Sequence, residues 1–291
     1  MKRRPLLLAV ACGVAGVSTG QAGAAGARER VVYPLHDPAR IPSWRYLEDV
    51  LKLAIQRSGA NYELVESRQA MVQGRAMREL AEGRGDPDLA WTMTSPEREA
   101  ELLPVRVPVD RGLIGCRVAF VRPGDLDRWT QVRTLADLAP LAAGQGHDWP
   151  DTEILRANGL KVQTSSRYET LFEMLRLGRI DYFPRSVIEV DDEAATSMAR
   201  GLVIEPQVLL RYPAAAYLFV RPNRPQLAQD LERGLEAALA DGSFQRLFQR
   251  HYGDLIARHR LNQRRVLTLR NPLLPPATPL NRPALWLVLG G

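Results

Sequence analysis

GRIDYFPRSV, residues 178–187, starts as the end of a surface helix, runs into a buried strand, and then places Arg185 and Ser186 where more core would stand. It closes a series in which helical and strand stretches alternate: TLADLAPL, AAGQGHDWPDTEILRANGL, KVQTSS and YETLFEMLRLGRIDYFP, spanning residues 134–184. An earlier series has the same form. Arg30–Leu35 is a β-branched run that reads as a strand. Ser43 can cap a helix whose apolar Leu47, Val50, Leu51 and Ala54 follow the 3.6-residue period up to Gly59. YELVES (62–67) alternates as a strand, GRAMRELAEGRG (74–85) is a short helix stopped by Gly83 and Gly85, and PDLAWTMT (87–94) is a third strand. Strand, helix, strand, helix, strand requires crossover connections, hence a parallel sheet with helices on both faces.

Between the two series, Leu103 to Val121 is extended and interrupted by Pro104, Pro108 and Gly112, and GLIGCRVAFVRPGD (112–125) reads as one long strand ending at a turn. After GLVIEPQVLL, a strand at Ala214–Pro222 leads into a helix from Pro225 with Leu227, Leu231, Leu235 and Leu239 at i+4 steps. From Leu261 the chain changes character. Prolines at 272, 275, 276, 279 and 283 exclude a helix or a central strand, so an extended arm of polyproline type is expected. Leaving Leu273, Leu274, Leu280, Leu285 and Trp286 in water would be costly, so the arm is expected to pack on the globule.

The chain has 291 residues, 45% of them hydrophobic and 25% charged, which allows a sizeable core and suggests two lobes. Residues 1–27 have a basic start (Lys2, Arg3, Arg4), an apolar run from Leu6 to about Val17, and small residues at Ala22-Gly23-Ala24 and Ala25-Gly26-Ala27. That order is expected to be a cleaved secretory signal, with Cys12 an ordinary part of it, because the apolar run falls short of the roughly 20 residues that span a bilayer. Cys116 is then alone and no internal disulfide is expected. Removing 1–27 lowers the formal charge of +6 by three, to +3, and the arginines are spread out, so no nucleic-acid footprint is expected. His36, His147, His251 and His259 are scattered and lack partner cysteines, so neither a metal nor a cofactor is expected.

Three segments, in order, resemble one family. PDLAWTMTSPERE (87–99) is similar to the strand, turn and helix of the solute-binding proteins of family 3, the periplasmic binding proteins for polar amino acids. YETLFEMLRLGRIDYF (168–183) resembles their unit of helix, Gly-Arg-x-Asp and strand, and VRPNRPQLAQDLERGLEAALADGSFQRLFQRHYGD (220–254) resembles their return segment. The resemblance runs from about Arg30 to Asp254 and implies an α/β, two-lobed periplasmic-binding-protein fold of type II: two three-layer lobes joined by two hinge strands. It implies lobe 1 from 28–115 and 213–260, lobe 2 from 116–212, and the arm 261–291 as an addition expected to pack on lobe 1.

The resemblance also implies a site. Arg98 falls on the arginine that grips the ligand carboxylate, a role its two-pronged guanidinium suits. Trp91, Met93 and Thr94 lie near the place of a ligand-binding Ser or Thr. Gly146, His147 and Asp148 match a Gly-Thr pair that opens a helix, with Trp149 a candidate wall, although Asp148 would repel a carboxylate unless it caps the helix. Five residues after Asp181, where amino-acid binders hold the ligand ammonium with an aspartate, this chain has Ser186. Its neighbour Arg185 either faces the cleft and favours an anionic group, or faces away as a solvated surface charge or a partner of Glu189; Pro184 is expected to distort the strand and hide which. The implied function is a monomeric periplasmic binding protein that captures a small polar or anionic, amino-acid-like molecule by lobe closure and delivers it to an ABC-type transporter permease. A sensing component for a membrane kinase, a cleft enzyme such as a dehydratase, for which His147, Asp148 and Glu97 form no recognisable acid–base set, and a remnant that binds nothing are the alternatives.

Overall fold

The computed structural model describes residues 28–35, 44–71 and 73–289; the signal segment, His36 and the capping role of Ser43 lie outside them. The elements in chain order are β1 (Glu29–Leu35), α1 (Trp44–Ser58), β2 (Tyr62–Ala70), α2 (Gln73–Ala81), β3 (Leu89–Met93), α3 (Pro96–Glu101) and β4 (Leu103–Val105). There follow β5 (Cys116–Val121), α4 (Leu126–Gln131), α5 (Leu135–Leu138), β6 (Ala142–Gly146), α6 (Pro150–Ala157), β7 (Lys161–Ser165), α7 (Tyr168–Arg176), β8 (Phe183–Ser186) and α8 (Val190–Ala194). The chain ends through β9 (Val203–Ile204), β10 (Val208–Arg211), β11 (Ala216–Val220), α9 (Pro225–Ala240), α10 (Ser243–Arg258) and β12 (Arg265–Thr268).

In the first lobe β1 and β2 pair in parallel, and β11 lies antiparallel between β3 and β4. Asp88 joins these sets, since its backbone N–H donates to Val32 O and its carboxylate accepts from Val32 N, both at 2.8 Å. The buried leucines of α9, Leu227, Leu231 and Leu235, meet Val50, Leu51 and Ala54 of α1 in one core, as the i+4 spacing requires. In the second lobe β6 and β7 are parallel, a parallel bridge from Ala143 to Tyr182 ties β6 to β8, and β5 runs antiparallel to β8 and β10. Every residue of β5 is buried because helices cover both faces: Val118 and Phe120 pack with Phe172 of α7, while Ala119 and Val121 pack with Trp129 of α4 and Ile154 of α6.

Two segments cross between the lobes. Val107, Val109 and Leu113 carry the main core along the first, and Tyr212 to Ala215 form the second. They touch at Gly115, where a Cβ would come within 2.1 Å of Tyr212 O, so only glycine fits. The long strand expected from Leu113 begins only at Cys116. Leu113–Gly115 is a 3-10 turn, held because the Asp110 carboxylate accepts from the N–H groups of Gly112 (3.1 Å) and Ile114 (2.7 Å).

The C-terminal segment also differs from the expected arm. Its first part is β12, which pairs in parallel with β10 on the second lobe's sheet, from Val208 opposite Arg265 to Arg211 opposite Thr268. The run Arg264–Arg270 contains no proline, so its N–H groups are free to join a ladder. The proline-rich remainder returns toward the first lobe. Leu285 is fully buried in the core shared with α9, Leu287 N donates to Arg111 O at 2.8 Å, and Leu280, expected to pack, is exposed.

Candidate functional site

The residues singled out from the sequence fall into two groups, one beyond the carboxyl end of β3 and one at the carboxyl ends of β6 and β8. Ligands of α/β sheets bind at such ends, where helix N-termini present free N–H groups.

The first group is a strand, a turn and a short helix. Trp91 is half-buried on β3 opposite Leu218, and Met93 ends the strand opposite Ala216, packed against the second lobe's core cluster. Thr94 is buried; its N–H donates to Ala215 O at 2.8 Å and its hydroxyl to Glu99 at 2.7 Å. Ser95 caps α3 by accepting from Arg98 N. Arg98 folds back so that Nη1 donates to Met93 O. It is half-buried, and desolvation pulls its pKa down, with only its neighbour Glu97 opposing. No carboxylate of the described residues lies within ion-pair distance of it.

The second group is built differently. Trp149, not Asp148, is the N-cap residue of α6, and no side chain caps the helix. The turn is closed instead by Trp149 N and the Thr152 hydroxyl, both donating to Gly146 O at 3.2 and 2.7 Å. His147 and Asp148 therefore point outward, with side chains 58% and 72% exposed. The Trp149 ring lies back over Gly146, where a Cβ would come within 2.5 Å of the indole; this close approach requires glycine. Trp149 stacks on Phe183 with a ring separation of 6.3 Å.

Arg185 is inside this group. Its guanidinium carbon lies 4.7 Å from the ring centre of Trp149, 5.4 Å from Phe183 and 5.7 Å from Tyr168. Glu193 takes Nε at 2.8 Å and Nη2 at 2.6 Å, and Glu189 takes Nη2 at 3.0 Å. Burial alone would lower the Arg185 pKa, but Glu189 and Glu193 together raise it above its ordinary value. The Glu189 partner that the sequence offered is found, and Glu193 joins it. Pro184 does not distort the strand: Phe183 to Ser186 keep an unbroken register with Phe120 to Arg117. Phe183 and Arg185 consequently share a face.

A second buried arginine lies alongside. Arg117 bonds Asp151 at 2.9 Å and the Tyr212 hydroxyl at 2.7 Å, and stands 3.6 Å from the Glu189 oxygen that also meets Arg185. Burial raises the Tyr212 hydroxyl well above its ordinary pKa, so it stays protonated and donates to Asp151. The cluster sets two guanidiniums against the carboxylates of Asp151, Glu189 and Glu193. Ser186, opposite Arg117 in the ladder, is fully buried, and its hydroxyl has no hydrogen-bond partner. Tyr168, Phe183, Glu193, Arg117 and Asp151 were not singled out from the sequence. Only the i,i+4 spacing of Arg185 and Glu189 gave a local signal.

No protein-family model matches the chain, and no curated protein matches its sequence. Solved structures do match. The probable amino-acid ABC transporter extracellular-binding protein YtmK from Bacillus subtilis aligns with a TM-score of 0.58 at 16% identity, over 78% of this chain and 99% of that one. The periplasmic VFT2 domain of BvgS from Bordetella pertussis gives 0.53 at 19% identity, over 76% and 92%. An ancestral arginine-binding protein solved with glutamine gives 0.53 at 16% identity, over 78% and 99%. Likeness at these identities shows the fold, which is the two-lobed periplasmic-binding-protein fold of type II.

Proposed function

We propose that this chain is an exported solute-binding protein related to family 3. It holds a small carboxylate-bearing, amino-acid-like ligand between a lobe of residues 28–115 and 213–260 and a lobe of 116–212, and presents its closed form to a membrane partner, a transporter permease or a sensor. Arg98 carries the reading. It is tethered by one nitrogen to Met93 O at the end of β3, partly desolvated, and has no carboxylate within ion-pair distance among the described residues. A guanidinium in that state is suited to a ligand carboxylate, which accepts two parallel hydrogen bonds. The Arg185 charge is taken up by Glu189 and Glu193, so of these two arginines it is Arg98 that is left for a ligand anion. Solved proteins of the same fold include the probable amino-acid binder YtmK and a protein holding glutamine, which supports an amino-acid-like ligand. Closure follows occupancy only if the ligand makes contacts in the closed state that the open state lacks.

Thermal-shift screening of the purified protein against amino acids, dicarboxylates and short peptides tests the proposal. A compound that raises Tm in the wild type and not in Arg98→Ala is expected. A panel without any stabilising compound, or a shift that survives Arg98→Ala, would sink it.

A further inference from the structure

The surroundings of Arg185 exceed what a structural ion pair needs. Three aromatic rings lie within 6 Å of its guanidinium carbon, at 4.7, 5.4 and 5.7 Å, and two carboxylates meet its nitrogens. Ring faces attract a cation through their quadrupole, and carboxylates complete the match to a guanidinium fork. Trp149 comes from the start of α6, Tyr168 from α7, Phe183 from β8, Glu193 from α8 and Glu189 from the residue before α8, so separate elements converge on one cation. Without Arg185, Glu189 would keep only the more distant Arg117 at 3.6 Å, and Glu193 would have no ion-pair partner among the described residues. The cage therefore demands a cation. It stands at the carboxyl ends of β6 and β8, which point the same way.

We infer that the second lobe carries a guanidinium-binding cage filled by the protein's own Arg185, which sets specificity by denying that place to cationic groups of a ligand. The cage itself stands on the contacts above; its bearing on specificity rests on the function proposed for the cleft.

The test uses the full mature chain with Arg185→Ala, titrated with methylguanidinium chloride and followed by Tm and tryptophan fluorescence. The variant is expected to unfold at a lower temperature than the wild type. Methylguanidinium should raise its Tm saturably by a few degrees and leave the wild type unmoved, while methylammonium, lacking the fork, should act far more weakly. Adding Glu193→Gln should weaken the response at least about tenfold, by loss of a charge-assisted bond. Should Arg185→Ala alone fail to fold, refolding with methylguanidinium gives the same answer: soluble protein recovered with it and not with methylammonium. No saturable response by either route, an equal response in the wild type, or one undiminished by Glu193→Gln overturns the inference. Arg98→Ala separates the two readings, because the cage should respond equally in the Arg98→Ala, Arg185→Ala double variant. A protein that binds methylguanidinium after Arg185→Ala but no carboxylate ligand as wild type would refute the proposed function and leave the cage standing.

Discussion

Arg98 follows β3 in one lobe and Arg185 lies one residue before the end of β8 in the other, both where an α/β sheet offers a ligand its strand ends, yet the protein treats them in opposite ways. Arg185 is 8% exposed and closed in by two carboxylates and three rings. Arg98 is half-buried, bonded to one carbonyl, and has no carboxylate within ion-pair distance among the described residues. The contrast separates two uses of the same side chain. An arginine whose charge is cancelled from within holds structure together, whereas one held in place and left uncancelled keeps its free donors for something outside the chain.

The largest expected effect comes from breaking the satisfied side of this comparison. Glu193→Ala would leave the buried Arg185 guanidinium with the partly exposed Glu189 as its one remaining carboxylate partner within ion-pair distance. Removing one partner of a buried ion pair costs roughly 3–5 kcal/mol, because the other charge stays desolvated. Urea unfolding should show the midpoint falling with an unchanged m-value; a midpoint within error of wild type would mean that Arg185 is not buried as described. Arg98→Ala probes the other side and should do the reverse. Its unfolding free energy should stay within about 0.5 kcal/mol of wild type. The affinity for whatever carboxylate ligand stabilises the protein should drop about 30-fold or more, the equivalent of about 2 kcal/mol, measurable by titration calorimetry.

Periodicity was enough to read the alternating elements, because the 3.6-residue spacing of Leu227, Leu231 and Leu235 and the buried run of β5 are local properties of the chain. The strand, turn and helix that carry Arg98 were legible for a related reason: they are contiguous in 87–99. The cage was not legible, since Trp149, Tyr168, Phe183 and Glu193 are brought together by parallel pairing between β6, β7 and β8, and sequence spacing does not encode that pairing. Arg117 and Asp151 show the same limit, joined across the sheet by a contact between β5 and α6. β12 was missed for the opposite reason. The prolines after Asn271 coloured the reading of the whole segment and hid seven proline-free residues, Arg264–Arg270, around that strand.

Asp110 sharpens the comparison with a buried charge of the other sign. Its carboxyl is fully buried on the first crossing segment, and burial pushes its pKa up to about 6 against the hydrogen bonds from Ile114 and Gly112. The folded protein therefore binds a proton at a pH where the unfolded chain, with a pKa near 3.8, does not. The associated stability is fully present below about pH 4 and is lost as the pH rises through about 6. Asp110→Asn should flatten the fall in unfolding free energy between those values and leave the protein about 1–2 kcal/mol more stable than wild type at pH 7.5. Parallel pH profiles for the two proteins would contradict the assignment.

The smallest effect is expected at a third arginine, which isolates burial from pairing. Arg282, in the returning C-terminal segment, makes a two-pronged contact with Glu236 of α9, both bonds at 2.7 Å, a geometry as good as that between Arg185 and Glu193. The two side chains are 45% and 37% exposed, so water already solvates both charges and screens their attraction. Arg282→Ala should consequently cost only about 0.2–1 kcal/mol, shrinking further in 1 M salt. If Arg282→Ala destabilised the protein as much as Glu193→Ala, pairing geometry rather than burial would be what makes an arginine structural here, and the distinction between Arg98 and Arg185 would have to be redrawn on that basis.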